Sequence, residues 1–120
     1  MSKVTIFKDI KDTEQPFYRE AVVILSRIKE GSSKDLVKKI RQEKDKSARN
    51  LLKQSLPAIC FSGMFTKRTD SAISEHSGLI CLDFDGYKTN KDMLQEKERL
   101  SKDKHVYSVF ISPSGNGLKA

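Results

Sequence analysis

The sequence predicts an α+β domain in which two amphipathic helices precede a small sheet built on a strand–helix–strand unit. Three observations predict it. Apolar residues recur at helical spacing over residues 16–30 and again over 32–56. The apolar run at 79–82 and the alternating stretch at 105–112 read as strands. Between them, "NKDMLQEKERLSKD" (90–103) reads as a polar amphipathic helix, the kind of crossover that joins parallel strands. A chain of 120 residues is one domain that can bury a core without disulfides or metal. Residues 1–56 supply a strand and the helices, and 57–120 the sheet that carries the chemistry.

Taken in order, "KVTIF" (3–7) alternates as a strand, Val4 and Ile6 on one face, Lys3, Thr5 and Phe7 on the other. "PFYREAVVILSRIKE" (16–30) starts on Pro16, carries a stripe of Phe17, Ala21, Ile24, Leu25 and Ile28, and stops at Gly31. Ser32 or Ser33 opens the second helix, with Asp35 placed to complete a cap. Leu36, Ile40, Ser47, Leu51 and Leu52 recur on one side of it, and lysines and arginines cover the rest. Pro57 ends it. "AICFS" (58–62) reads as a strand, "GMFTKRTD" (63–70) as a loop and "SAISEHS" (71–77) as a short helical turn. On helix 90–103, Met93, Leu94 and Leu100 face inward. Strand 105–112 leads into the loop "PSGNG", after which "LKA" begins a further extended segment.

Composition narrows the setting. The chain is 37% hydrophobic and 32% charged, with no apolar run near the ~20 residues of a membrane span. The N-terminus lacks the long apolar core of a signal peptide. Cys60 and Cys81 lie in apolar runs and read as reduced core residues of a cytoplasmic protein. The net charge of +7 favours polyanionic partners such as nucleic acid. The break at "SPSGNGLKA", as a new strand begins, reads as a domain cut before its end.

Two stretches carry the chemistry. The first is "SGLICLDFDGYK" (77–88). Asp83 and Asp85 close an apolar strand and share a face, with Phe84 on the other. Paired carboxylates suit a hard divalent cation, Mg²⁺ or Mn²⁺, which takes one or two carboxylates plus substrate phosphates. The same residues also fit a strand that ends at Leu82 and turns at Gly86. The second is "SPSGNGLK" (112–119). Its serines, glycines and asparagine, Ser112, Ser114, Gly115, Asn116 and Gly117, form a tight loop able to nest an anion, with Lys119 to complete a triphosphate corner. It is not a Walker A loop, and Asn116-Gly117 is equally a hairpin signal. With the two strands parallel and side by side, both motifs stand at one edge of the sheet.

"HSGLICLDFDGYK" followed by "VFISPSGNGLK" resembles the VirE N-terminal-type domain of Bacteroidetes chromosomes, mobile elements and phages. That domain belongs with the primase–polymerase (archaeo-eukaryotic primase) superfamily. The resemblance covers residues 57 to 119. It implies a primase–polymerase-like sheet with an RRM-like β-α-β unit. It also implies a DNA primase or polymerase activity, a nucleotidyltransferase reaction at two metals, in replication of a mobile element or phage. Catalytic metal would be held by Asp83 and Asp85, and nucleoside triphosphate by Ser112, Ser114 and Lys119. DNA template and primer would be the partners, with a helicase domain further along a longer protein. Lys119 stands where those polymerases carry histidine, and the third acidic motif that the resemblance implies is expected after residue 119.

"LDFDG" also opens haloacid-dehalogenase-type phosphatases, where Asp83 would be the nucleophile and Asp85 the general acid. A catalytically inactive nucleic-acid-binding domain is the third reading. Lys67, Arg68 and Lys88 flank the acidic pair in sequence and read as phosphate contacts or as solvated cations. His76 and His105 precede strands without partners at ligand spacing and read as surface residues.

Overall fold

Val4, Thr5 and Phe7 are wholly buried in the first strand, so the N-terminal pentapeptide is core from both faces. In the computed structural model, which describes residues 2–120, the fold is α+β, with four helices and small antiparallel sheets. Two units can be distinguished, one ending at Ile80 and one spanning Cys81–Ala120.

In the first unit, β1 (Lys3–Phe7) is the centre of a three-stranded antiparallel sheet, between β2 (Phe17–Glu20) and β3 (Ala58–Cys60). β2 corrects the expectation of a helix from residue 16. Its four residues, Phe17, Tyr18, Arg19 and Glu20, pair with β1, whose unsatisfied backbone outweighs their helical pattern. Phe17 is accordingly 53% exposed rather than part of a buried stripe.

The helix itself, α1 (Ala21–Glu30), starts after the strand. Ala21 and Ile24 join Val4 in a core that Ile6, Ile59, Phe61 and Leu79 also line. It stops at Gly31 as predicted. Gly31 adopts φ 78°. The N–H groups of Gly31 and Ser32 donate to the carbonyls of Ile28 and Arg27, the paired bonds of a left-handed helix end.

The long second helix is two. α2 (Lys34–Gln42) and α3 (Lys46–Lys53) are separated at Glu43–Asp45, because Asp45 leaves helical geometry to cap α3. Its Oδ2 accepts from the Ala48 N–H at 2.9 Å. Ser33 precedes α2 but makes no side-chain cap. Ile40 is fully buried, whereas Leu51 is 66% exposed and off the predicted core stripe.

Residues read as loop and helical turn form a hairpin instead. β4 (Gly63–Phe65) pairs antiparallel with β5 (Ile73–His76), joined through a single 3-10 turn at Asp70–Ala72. Thr5 explains the pairing. Its buried hydroxyl donates to the Gly63 carbonyl and accepts from the Phe65 N–H, both at 2.8 Å, pinning β4 beside β1.

The second unit is smaller. β6 (Asp83–Phe84), α4 (Asn90–Ser101), β7 (Phe110–Ile111) and β8 (Leu118–Lys119) form a sheet of order β6-β8-β7 with one helix. Met93 and Leu100 of α4 pack on Leu118, with Phe84, Tyr87, Val106, Val109 and Ile111 around them. Leu94 is turned out, at 46% exposure. The helix starts on Thr89, whose Oγ1 accepts from the Asp92 N–H at 3.0 Å. Strand 105–112 shrinks to β7, since only Phe110 and Ile111 find partners on β8.

The apolar run before the acidic pair is not a buried strand. Ile80 and Leu82 are 76% and 48% exposed, and Cys81 is exposed too. Regular strand begins at Asp83, although Leu82 exchanges two backbone hydrogen bonds with Ala120 and lengthens the ladder by one pair.

Candidate active site

Register fixes which side chains share the face opposite α4. Lys119 is paired with Asp83 on one side and Phe110 on the other. Directly paired residues point the same way, so Asp83, Lys119 and Phe110 form one row across the three strands. The next row, Phe84, Leu118 and Ile111, points to the opposite face and into the core under α4. This is the alternation that Asp-Phe-Asp announces: acids on one side, an apolar anchor on the other.

One row further on lie Asp85, Gly117 and Ser112. The Ser112 N–H donates to the Gly117 carbonyl at 2.9 Å, continuing the β7–β8 pairing past the strand ends. Asp85 lies over Gly117 so closely that a Cβ there would stand 2.3 Å from Oδ1 of the carboxylate and 2.8 Å from the Phe84 carbonyl oxygen. The acidic pair and the glycine loop therefore meet.

Their meeting comes from a topology only half as expected. β6 and β7 run parallel, each being antiparallel to β8, and α4 is the crossover between them. They are not neighbours, because β8 enters between them. Both motifs still stand at the same end of the sheet, one after β6 and one after β7.

Lys119 departs from its expected place beside the loop. It sits in the middle strand with Nζ 2.7 Å from Oδ1 of Asp83. Asp83 keeps 59% of its side chain exposed and Lys119 33%, so the pair is a solvated one that a competing cation can open.

The loop is a hairpin connection, but Asn116-Gly117 is not its tight turn. The turn is Ser112–Gly115, with the Gly115 N–H donating to the Ser112 carbonyl at 2.9 Å and Gly115 at φ 81°. That consumes one N–H of the proposed nest, and Pro113 has none. Ser114, Asn116 and Gly117 carry the remaining N–H groups of the loop.

Two acids fit a cation shared with substrate. Among the described residues no group of three His, Cys, Asp or Glu side chains converges on one point. Asp83 and Asp85 offer two exposed carboxylates on one face, the number Mg²⁺ or Mn²⁺ commonly takes when phosphates and water complete the shell. They do not build a closed protein cage. Cys81, which borders the site, has its thiol pushed up by burial, then drawn down by Lys119 and raised by Asp83.

The other candidates divide between the two units. Lys67 is exposed in the first unit. Arg68, also there, is occupied: its guanidinium bonds the Ile10 carbonyl and stacks 5.8 Å from the centroid of the Phe7 ring. Its backbone N–H donates to the Thr13 carbonyl at 2.9 Å. Lys88 is exposed beyond β6. Cys60 and Cys81 are both free, Cys60 half-buried with its thiol raised by burial against the pull of Arg68. His76 is exposed, and the exposed His105 has Nδ1 3.4 Å from Oδ1 of Asp103.

Phe110 is the site residue that the sequence alone does not place. Alternation within 105–112 puts it on a face with Val106 and Ser108, but only the β7–β8 register brings it beside Lys119. The six-residue connection, Ser112 to Gly117, is the signal that sets this register.

No helix among the described residues is long and apolar enough to cross a membrane. No curated protein and no solved structure matches the chain. The family model described as BT4734-like, N-terminal domain, matches residues 51–120, which is more than half of the chain and includes the acidic pair, the loop and Lys119, and the chain belongs to that family.

Proposed function

We propose that residues 81–120 form a metal-dependent nucleotide site of the primase–polymerase type, in a domain that transfers nucleotidyl groups to a DNA primer or initiating nucleotide. One observation carries the reading: Asp83 and Asp85 share a sheet face with Lys119, and Asp85 lies against Gly117 of the glycine–serine loop. Carboxylates and an anion-binding loop at one sheet end are what a triphosphate held through a divalent cation requires.

In this reading Asp83 and Asp85 hold Mg²⁺ or Mn²⁺. A divalent cation held there would supply Lewis-acid stabilisation of the reacting phosphate. The chain's own residues do the rest. Lys119, which now pairs with Asp83, would be the cation placed to neutralise a substrate phosphate. Ser114 and Asn116 present N–H groups to the same phosphates, with the Ser114 hydroxyl beside them, while Gly117 and the buried Ser112 hydroxyl shape the loop from beneath. Phe110, next to Lys119 in the same row, offers an aromatic edge to a base or sugar.

The test is template-directed incorporation of labelled nucleotides by the full protein, with Mg²⁺ and then Mn²⁺, against Asp83→Ala. Metal-dependent product that disappears in the variant supports the proposal. Release of inorganic phosphate from phosphate esters, with a trapped aspartyl intermediate, would replace it with the phosphatase reading. No product together with unchanged duplex binding would leave a non-catalytic nucleic-acid-binding domain.

A further inference from the structure

The net charge of this chain is not evenly spread. Between residues 34 and 53 there are eight lysines and arginines against three acids, so the segment from α2 through α3 carries a net charge of +5 in a chain of net charge +7. Lys34, Lys38, Lys39, Lys44 and Lys46 are exposed, and none of them forms an ion pair among the described residues. Two of the three acids are turned to the backbone rather than to these cations. Asp45 caps α3, and Glu43 accepts from the Asp45 N–H at 3.1 Å. The two helices pack together, which concentrates the charge on one hairpin.

We propose that the α2–α3 hairpin is a docking surface for the phosphate backbone of a nucleic-acid duplex. The choice of a nucleic acid draws on the function proposed above; the charge arrangement stands without it. Three features select the partner. A dense set of exposed lysines without ion pairs among the described residues gains from counterion release on a regularly spaced polyanion. An interfacial membrane helix needs an exposed apolar face, whereas Ile40 is fully buried and Leu51 is the single large apolar side chain between 34 and 53 that stands exposed. Single strands are gripped by stacking on aromatic side chains, and residues 34–53 contain none. Backbone contact of this kind positions a duplex without reading its sequence.

Fluorescence anisotropy of the 120-residue protein with a labelled mixed-sequence duplex, between 50 and 200 mM salt, tests this. The variant Lys34→Gln/Lys38→Gln/Lys39→Gln is set against a control that removes three charges elsewhere, Lys11→Gln/Lys29→Gln/Lys91→Gln, with circular dichroism confirming that both fold. The hairpin variant should weaken binding about tenfold or more at low salt and flatten the log–log salt slope by about two to three. The control should stay within about threefold. Equal losses in both variants, no salt-dependent duplex binding, or binding to phosphatidylserine vesicles in place of duplex would each overturn the proposal. Asp83→Asn/Asp85→Asn should not weaken duplex binding, so this surface and the nucleotide site fail separately.

Discussion

A methyl group at Gly117 would collide with the Asp85 carboxylate and the Phe84 carbonyl oxygen at once, at 2.3 and 2.8 Å. The carboxylate can swing aside, but the backbone oxygen cannot. Gly117→Ala is therefore expected to destabilise the protein by about 1–3 kcal/mol in urea unfolding and to displace Asp85. Lys119 makes the opposite prediction. Its ion pair with Asp83 is largely solvated, so Lys119→Ala should cost less than about 1 kcal/mol. The same change removes a cation competing for Asp83. Mn²⁺ affinity of the nucleotide-free protein, followed by electron paramagnetic resonance, should rise a few-fold; an unchanged or weaker affinity would mean that Asp83 does not receive the metal. At this scale the sequence was informative about chemistry and poor about partners. Asp83 and Asp85 are legible as a pair because period two is intrinsic to an extended chain. That Asp83 meets Lys119, and that Phe110 joins them, depends on hairpin register, which the six-residue connection sets only once both strand ends are known.

Among the elements, α4 rests on a single cap. Thr89→Ala removes the acceptor for the Asp92 N–H and should lower stability by about 1 kcal/mol, read as a shift in the unfolding midpoint at unchanged slope. The helix also carries pH-sensitive groups. The hydrogen bond from Arg99 holds the Glu96 carboxyl below its usual range, and just past the helix the His105 N–H does so for Asp103. A carboxyl whose folded value is depressed stabilises above its unfolded value and loses that contribution as the pH falls through the folded one. Thermal stability should thus decline below about pH 4, and Glu96→Gln/Asp103→Asn should flatten that acid limb. Helices with an end signal were readable in the sequence: Gly31 stops α1, and Asn90–Ser101 lies within the predicted 90–103. Strands were not. Phe17–Glu20 is helical by pattern and extended because β1 needs a partner, while Ile80 and Leu82 are apolar by pattern and exposed. Short strands take their identity from the strand across the ladder, which no local window contains.

For the whole molecule, the α+β class follows from the alternation of helical and extended patterns, and it holds. The crossover through α4 was likewise legible, because a helix between two strands implies that they run parallel. The insertion of β8 between them was not, since it involves the last residues of the chain returning to the sheet. The consequence is favourable to function: β8 carries Lys119 to Asp83 and Gly117 to Asp85, joining motifs that parallel neighbours would only have placed at one edge. On the proposals made above, the lysines of α2 and α3 would serve a polyanion and the acids of the second unit the chemistry.

The central claim is that Asp83 and Asp85 bind nucleotide through a divalent cation. Calorimetric titration of the protein with a non-hydrolysable nucleoside triphosphate, with and without Mn²⁺, tests it most directly. The account predicts binding that requires Mn²⁺ and weakens at least tenfold in Asp83→Asn and in Asp85→Asn, both variants melting within a few degrees of the wild type. Nucleotide binding of equal strength without metal, undiminished binding in the double variant, or no binding at all would contradict it.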